Sequence, residues 1–154
     1  MILYFDGLCE PINPGGVATY GFVIYKGRKK MHEENGTVGA GMLGDDVSNN
    51  VSEYTAMIRG MEKMLALGYS GKVTVRGDSQ LAINQLLGRY AVRAKRLMPL
   101  YDKTLELKAK FSGVKFEWIP RELNEEADAL SRKAFEQFLG KHLDSFCSYY
   151  RVRR

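Results

Sequence analysis

Apolar and β-branched side chains fall in short runs near the start of the chain, and such runs predict β-strands. Residues 2–5 form the first run, and residues 17–25 form a second that is rich in β-branched and aromatic side chains. The turn sequence Lys26-Gly27-Arg28 follows, so residues 29–38 are predicted to pair with the second strand as a hairpin. Glycine and proline interrupt the pattern in two predicted loops, residues 7–16 and 39–48.

In the middle of the chain the spacing of apolar residues changes to steps of three and four, which indicates amphipathic helices. The first helix is predicted from Glu53 to Leu67, ending at Gly68. Residues 79–87 predict a short second helix. A third is predicted over residues 97–111, with Pro99 acceptable in its first turn.

Two strands and one helix complete the pattern. Residues 73–75 and residues 114–119 predict the strands. Asn124 is predicted to cap the last helix, since two glutamates follow it in the first turn, where the helix dipole favours acids. Gly140 is predicted to end that helix.

The resulting order is β-β-β-α-β-α-α-β-α, which is an α/β arrangement. A hairpin followed by alternating strands and helices predicts a five-stranded mixed sheet with helices on both faces. Its first three strands would be antiparallel and its last two parallel. A length of 154 residues accommodates one domain. The chain ends in a tail, residues 141–154, with two adjacent tyrosines and three arginines.

The balance of charge favours a polyanionic partner. The chain has 23 lysines and arginines against 18 aspartates and glutamates, a formal net charge of +5. Solubility alone also accounts for a charge of this size. The two cysteines, Cys9 and Cys147, have no zinc-site spacing and suit a reducing compartment, with a single bond between them left open.

The N-terminus enters a strand at once, which argues against a signal peptide. No apolar run is long enough to span a bilayer. We therefore expect a monomeric, cytoplasmic protein with no membrane partner.

Four carboxylates lie where predicted elements start or stop: Asp6, Glu53, Asp78 and Asp128. Asp6 and Asp78 each follow an apolar strand and adjoin a glycine, so parallel strands would bring both to one edge of the sheet. Glu53 and Asp128 lie at helix starts that can face the same edge. Singly, each is more simply a turn former or a helix-dipole partner. Together they would repel strongly without cations, and two Mg²⁺ roughly 4 Å apart would fit them.

Six motifs, in the expected order, resemble the ribonuclease HI family, and most closely its compact archaeal-type branch. The motifs are Phe5-Asp6-Gly7, Asn13-Pro14-Gly15-Gly16, Asn49-Asn50-x-x-Glu53, Asp78-Ser79-Gln80, Tyr90-x-Val92-x-Ala94-Lys95 and Asn124-x-x-Ala127-Asp128. The resemblance implies a ribonuclease H-like fold with residues 1–140 as the catalytic domain. The tail, residues 141–154, would be part of that domain or packed on it.

The resemblance also implies an enzyme that cuts the RNA strand of an RNA/DNA hybrid and leaves 5′-phosphate and 3′-hydroxyl ends. Two Mg²⁺ would serve it, with Mn²⁺ as a substitute. By this resemblance Asp6 would bridge both metals, while Glu53 and Asp78 would hold the metal on the leaving-group side. Asp128 would hold the metal that activates water.

One position departs from many members of the family, which have a histidine in the loop before the last helix. Here that loop is Pro120-Arg121-Glu122-Leu123-Asn124, without histidine. The resemblance places Arg121 in that role as a fixed cation near the phosphate. Because arginine stays protonated at neutral pH, the metals must activate the water. The simpler interpretation is that Arg121 only contacts phosphate or solvent.

Recognition of ribose requires groups that meet a 2′-hydroxyl, which both donates and accepts hydrogen bonds. Turn formation and helix capping are the simpler roles for Asn13 and Asn49, whereas Gln80 has little structural reason for its position. By resemblance, the RNA-facing set comprises the backbone of Gly7 to Cys9 and the side chains of Asn13, Asn49, Asn50 and Gln80.

Between Arg89 and Lys115 the chain carries eight basic residues against two acidic ones, which favours contact with the DNA strand. Some of these lysines are more simply a solvated helix face. The segment lacks the extra basic helix of many family members, so a modest, salt-sensitive affinity is expected. Substrate contacts in and beyond this segment are predicted for Tyr90, Lys95, Arg96 and Asn124.

Two other functions stay open at this point. A junction resolvase or transposase-like nuclease would share the fold, since one fold hosts several chemistries. A catalytically silent nucleic-acid-binding module is a different class. Retention of all four acids argues against a silent module, because their repulsion without metal has no benefit.

Overall fold

The order of strands and helices in the computed structural model, which describes residues 1–153, is the predicted order. Arg154, the last residue of the predicted tail, lies outside the described residues. Short 3₁₀ turns at Gly41–Leu43 and Arg121–Leu123 are the additional elements. The strands are β1 Ile2–Glu10, β2 Val17–Lys26, β3 Lys29–Ala40, β4 Lys72–Gly77 and β5 Gly113–Trp118. The helices are α1 Asn49–Ala66, α2 Gln80–Leu86, α3 Met98–Lys108 and α4 Glu125–Tyr150.

The five strands form one mixed sheet in the order β3-β2-β1-β4-β5. β1, β2 and β3 are antiparallel, whereas β4 is parallel to both β1 and β5. The parallel pairing of β1 and β4 ends at Phe5 and Gly77. The predicted mixed sheet is therefore confirmed, including the adjacency of the two strands that carry Asp6 and Asp78.

Helices cover both faces of this sheet, as predicted. On one face α1, α2 and α3 enclose the main core, in which Leu3 and Phe5 of β1 contact apolar residues of α1. On the other face α4 crosses β1, β2 and β3. The approach of α4 is close at Gly21 of β2, where a Cβ atom would lie 2.6 Å from the carbonyl oxygen of Ala127. Thr19 of β2 fixes the crossing by donating to the Ser131 carbonyl at 2.7 Å.

β1 is longer than its apolar run predicts. It continues to Glu10 because residues 7–10 pair with β2 as far as Val17. The predicted loop of residues 7–16 is therefore wrong at its start, and Asp6 lies inside a strand rather than at its end. Asp6 follows the last parallel pair with β4, so its side chain still lies at the edge where that pairing stops.

α1 begins at Asn49, so the prediction that Glu53 starts this helix is wrong. Ser48 is the N-cap, and its hydroxyl accepts a hydrogen bond from the Val51 amide at 3.1 Å. The suggested cap role of Asn49 is likewise wrong, since Asn49 is the first helical residue. Glu53 is thereby placed in the second turn, where the helix faces β1.

α4 passes the predicted end at Gly140 by two residues before regular helical geometry is interrupted at His142, whose φ is −135°. A second helical segment then runs from this kink to Tyr150, which the sequence did not predict. Phe146 and Phe138 pack on Val17 and Ala40, which holds residues beyond Gly140 against the sheet. Tertiary packing therefore overrides the weak helix propensity of one glycine.

Cys9 and Cys147 are free thiols, which settles the disulfide left open by the sequence. Among residues 1–153, no helix combines the length and the apolar composition that crossing a bilayer requires.

Candidate active site

Three carboxylates converge where β1, β4 and α1 meet. Asp6 lies on β1, Asp78 directly follows β4, and Glu53 lies on α1. One carboxylate oxygen from each lies within 4.8 Å of the others. Gly7 permits this approach, since a Cβ atom there would lie 2.5 Å from the backbone of Ser52. Because Gly7 has no side chain, the second turn of α1 can approach β1 and place Glu53 next to Asp6.

Asp128 reaches the same cluster from the first turn of α4. It lines the same cavity as Asp6, and its nearness helps to raise the pKa of the Asp6 carboxyl group. Two arginines flank it, because Arg132 Nε and Arg121 Nη2 lie 3.6 Å and 3.8 Å from Asp128 Oδ1. Arg132 also lies 3.5 Å from Glu10. All four predicted carboxylates therefore meet in one place.

Burial and mutual repulsion oppose ionisation of this cluster. Asp6 is 6% exposed and Glu53 4% exposed. Burial and then the charge of Asp78, with smaller effects from Asp128, raise the pKa of Asp6 to about 8. Burial and the charges of Asp6 and Asp78 raise the pKa of Glu53 as well. The nearby Gly7 amide lowers both pKa values but only partly opposes these rises.

This donor set fits hard divalent cations. It consists of carboxylate oxygens, which are the ligands that Mg²⁺ and Mn²⁺ accept. One buried oxygen, Glu53 Oε2, has no hydrogen-bond partner among the described residues. A buried polar atom without a partner costs about 1–3 kcal/mol, and coordination to a cation would remove that cost.

Without metal, the protein is expected to lose stability as the pH rises from about 4 to about 8. A group whose pKa is higher in the folded than in the unfolded state stabilises the folded protein at pH values below its unfolded pKa. That stabilisation is lost as the pH rises past its folded pKa. For Asp6 the window runs from the ordinary pKa of 3.8 to about 8. Melting temperatures measured in EDTA across this range should fall, and the fall should be smaller with Mg²⁺ present. Equal slopes with and without Mg²⁺ would contradict this prediction.

Asn124 is hydrogen-bonded to the carboxylate cluster and to the backbone of β1. Its Nδ2 donates to the Phe5 carbonyl at 2.8 Å and to Asp78 Oδ1 at 3.3 Å, so it ties β1 to the residue after β4. Asn124 is the N-cap of α4, as predicted, but its side chain makes no capping hydrogen bond to the helix. Asn124 is 2% exposed, and its predicted contact with substrate stays a prediction.

The four carboxylates line a cavity of about 340 Å³. Of the predicted substrate contacts, Gly7, Cys9 and Asn49 belong to its lining. Asn13 lies at its border, since its Oδ1 accepts a hydrogen bond from the Asn49 amide at 2.8 Å. The remaining lining residues are Leu8, Glu10, Ser79, Arg121 and Arg132.

Other predicted contacts lie outside this cavity. Gln80 is exposed at the start of α2, and Tyr90 borders a separate depression with Gln85 and Met98. Arg96 pairs with Asp46 at 3.2 Å. The predicted contacts Asn50 and Lys95 are likewise not part of the cavity lining.

Three neighbours of the carboxylates were not predicted from the sequence. Arg132 stands four residues after Asp128, a spacing that places an ion pair on one helix face and could have revealed it. Ser79 caps α2 through the Ala82 amide. Trp118 is 43% exposed, and its Nε1 donates to the Asp78 carbonyl at 3.2 Å. No local pattern indicates the contact of Trp118, because β5 and Asp78 are distant in sequence.

Comparisons with known proteins agree with this geometry. Residues 16–134 match the family model described as reverse transcriptase-like. Bifunctional protein Rv2228c of Mycobacterium tuberculosis is 32% identical over 126 residues, which is 80% of this chain and 32% of that protein. This chain therefore spans about a third of the length of the first curated relatives it matches.

Ribonuclease HI of Halobacterium salinarum is 34% identical over 134 residues, covering 86% of this chain and 63% of that protein. The crystal structure of RNase H1 from the same organism superposes with a TM-score of 0.79 at 31% identity, covering 88% of this chain and 97% of that one. LC11-RNase H1, solved in complex with RNA/DNA hybrid, gives a TM-score of 0.79 at 31% identity, covering 90% and 98%. The chain belongs to the ribonuclease HI family.

Proposed function

We propose that this protein is a ribonuclease H that hydrolyses the RNA strand of an RNA/DNA hybrid. The observation that carries the proposal is the convergence of three carboxylates within 4.8 Å, joined by Asp128 through Asp6. Membership of the ribonuclease HI family supports it, as does the hybrid bound to LC11-RNase H1. All four carboxylates come from one chain, which supports action as a monomer.

The four carboxylates would hold two Mg²⁺, with Mn²⁺ as a substitute. Asp6 would contribute to holding both ions, because it lies within 4.8 Å of Glu53 and Asp78 and lines the same cavity as Asp128. Glu53 and Asp78 would complete one ion and Asp128 the other. When bound, such a pair of ions activates a water and stabilises the leaving oxygen, which yields 5′-phosphate and 3′-hydroxyl ends.

Arg121 would contribute a fixed positive charge beside the attacked phosphate. It lies at the cavity with most of its side chain exposed, and its Nη2 is 3.8 Å from Asp128. Because a guanidinium does not lose its proton near neutral pH, Arg121 can stabilise negative charge but cannot act as a base. Arg132, on the far side of Asp128, would hold that carboxylate in place.

Arg121→Ala is expected to lower kcat roughly tenfold, the effect of losing one partly solvated charge interaction. Mg²⁺ affinity should change little, since the four carboxylates stay. Steady-state cleavage and Mg²⁺ titration measure the two quantities, and Arg121→Lys should recover part of the rate. An unchanged rate in Arg121→Ala would mean that this side chain only meets solvent.

Recognition of the RNA strand would depend on groups at one side of the cavity. Asn49 lines it and Asn13 adjoins it, so both amides are placed to meet 2′-hydroxyl groups. The backbone of Gly7 to Cys9 forms the adjoining wall. Asn50 and Gln80 would meet nucleotides farther along the strand.

The DNA strand would lie along the basic segment that follows α2. Tyr90 and Lys95 are exposed there, and Arg96 is held by its ion pair with Asp46. The segment is short, so the affinity for hybrid should fall with added salt. We also propose that residues 1–140 form the catalytic domain, with the end of α4 packed on it through Phe146.

One assay tests the proposal against its rivals. A labelled RNA/DNA hybrid, a DNA duplex and a four-way junction are each incubated with Mg²⁺ and with EDTA. Cleavage of the RNA strand only, dependent on Mg²⁺ and leaving 5′-phosphate ends, is the expected result. Cleavage confined to DNA or to the junction would overturn the proposal. Binding without cleavage under any metal would support a silent binding module.

A further inference from the structure

The end of α4 is tied to the loop between β1 and β2. The hydroxyl of Tyr150 donates to the Gly15 carbonyl at 2.8 Å and accepts from the Met42 amide at 3.2 Å. Gly15 belongs to that loop, whereas Met42 follows β3. One side chain near the C-terminus therefore joins two loops that are distant from it in sequence.

Tyr150 is held firmly enough to act as an anchor. Phe146, one turn earlier, is 5% exposed and packs on Val17 and Ala40, the residues at the ends of β2 and β3. The rings of Phe146 and Tyr150 lie 5.0 Å apart. The helical residues beyond the bend at His142 are thus fixed against the sheet before they reach the loop.

The anchored loop leads to the active-site cavity. The Gly15 amide donates to Val47 and the Gly41 amide to Gly16, each at 3.0 Å, so the loop is fixed at its base. Its exposed part carries Asn13, whose Oδ1 accepts from the Asn49 amide at 2.8 Å. Asn49 lines the cavity. Tyr150 is therefore connected to the cavity wall through its hydrogen bond to the loop, the loop backbone and the hydrogen bond between Asn13 and Asn49.

We propose that Tyr150 is a positioning residue for substrate recognition, holding the loop of residues 11–16 so that Asn13 and Asn49 meet the RNA strand. The proposal rests on the proposed function and specifies which part of the chain shapes its RNA-facing wall. Tyr150 touches neither the carboxylates nor, in this arrangement, the substrate. Its loss should weaken binding of the hybrid without slowing the chemical step.

Tyr150→Phe removes the two hydrogen bonds and keeps the ring. We expect KM for the hybrid to rise roughly fivefold, less than the full loss of two hydrogen bonds because Tyr150 acts on the substrate only through the loop, with kcat within about twofold. Amide hydrogen exchange in residues 11–16 should become faster, while exchange in β1 and α1 stays unchanged. Tyr149→Phe is the matched control, because Tyr149 is 57% exposed and its hydroxyl makes neither of these bonds.

Hybrid binding measured by fluorescence anisotropy in an Asp6→Asn background provides a readout that does not need turnover. Weaker binding in Tyr150→Phe but not in Tyr149→Phe supports the proposal. Unchanged KM and unchanged binding while the parent protein cleaves hybrid would overturn it and leave the proposed function intact. A fall in kcat with KM constant would also overturn it. A parent protein that neither cleaves nor binds hybrid would instead overturn the proposed function, and this inference with it.

Discussion

Replacing Asp6 with asparagine is expected to abolish cleavage of the RNA strand while raising the melting temperature of the metal-free protein. Asp6 lies within 4.8 Å of Glu53 and Asp78 and lines the same cavity as Asp128, so its loss would remove the carboxylate proposed to contribute to both ions. Loss of several kcal/mol of transition-state stabilisation corresponds to a rate lower by about a thousandfold or more. The amide that replaces the carboxylate can donate to its acidic neighbours, which relieves the repulsion.

The size of the stabilisation follows from the raised pKa of Asp6. At neutral pH a carboxyl group with a folded pKa of about 8 has to take up a proton as the protein folds, which is unfavourable on the order of 1–3 kcal/mol, so replacing it should raise the melting temperature by roughly 3–10 °C. Calorimetry in EDTA and a cleavage assay in Mg²⁺ test the two effects separately. Glu125→Gln, an exposed acid on α4, should change neither quantity. A less stable Asp6→Asn protein would mean that the cluster is not strained without metal.

Asn124→Ala is expected to lower cleavage by roughly 10–100-fold, the usual cost of removing a partner that orients a metal ligand. The variant leaves the Phe5 carbonyl without its donor and frees the Asp78 carboxylate to rotate. The unpaired buried carbonyl should also cost about 1–3 kcal/mol of stability.

Measuring Mg²⁺ affinity distinguishes a role of Asn124 in positioning Asp78 from a general loss of stability in the variant. We expect weaker Mg²⁺ binding in Asn124→Ala, measured by titration at a temperature where the variant is fully folded. Glu122→Ala serves as the control, since Glu122 is exposed in the neighbouring turn. Unchanged Mg²⁺ affinity together with unchanged cleavage would show that Asn124 only joins two strands.

Local patterns were enough to predict how the carboxylates converge. Asp6 and Asp78 follow apolar runs, and the helix between those runs implies a parallel crossover. This argument needs only the order of elements, and it places both acids at one sheet edge without knowledge of any side-chain contact. The predicted positions of Glu53 and Asp128 near helix starts added the two remaining acids, and the family motifs then agreed with all four.

The features that local sequence patterns failed to predict depend on tertiary contacts. β1 extends to Glu10 only because Val17 is available to pair with it, and α4 passes Gly140 only because Phe146 finds a site on the sheet. Asn124 has the position of a cap but turns inward, since the Phe5 carbonyl and Asp78 offer it better partners. Each of these outcomes depends on residues distant in sequence, which periodicity and capping rules do not take into account.

The close contact at Gly21 makes the position of Asp128 depend on how α4 packs on β2. A single methyl group there would collide with the backbone of Ala127 and Ser131 and with the Cβ atom of Leu130, in the first turns of α4. Because Asp128 lies within those turns, the added bulk would lift it away from Asp6 without touching any ligand. A side chain at position 21 would therefore displace one carboxylate of the cluster through the packing of a helix on the sheet.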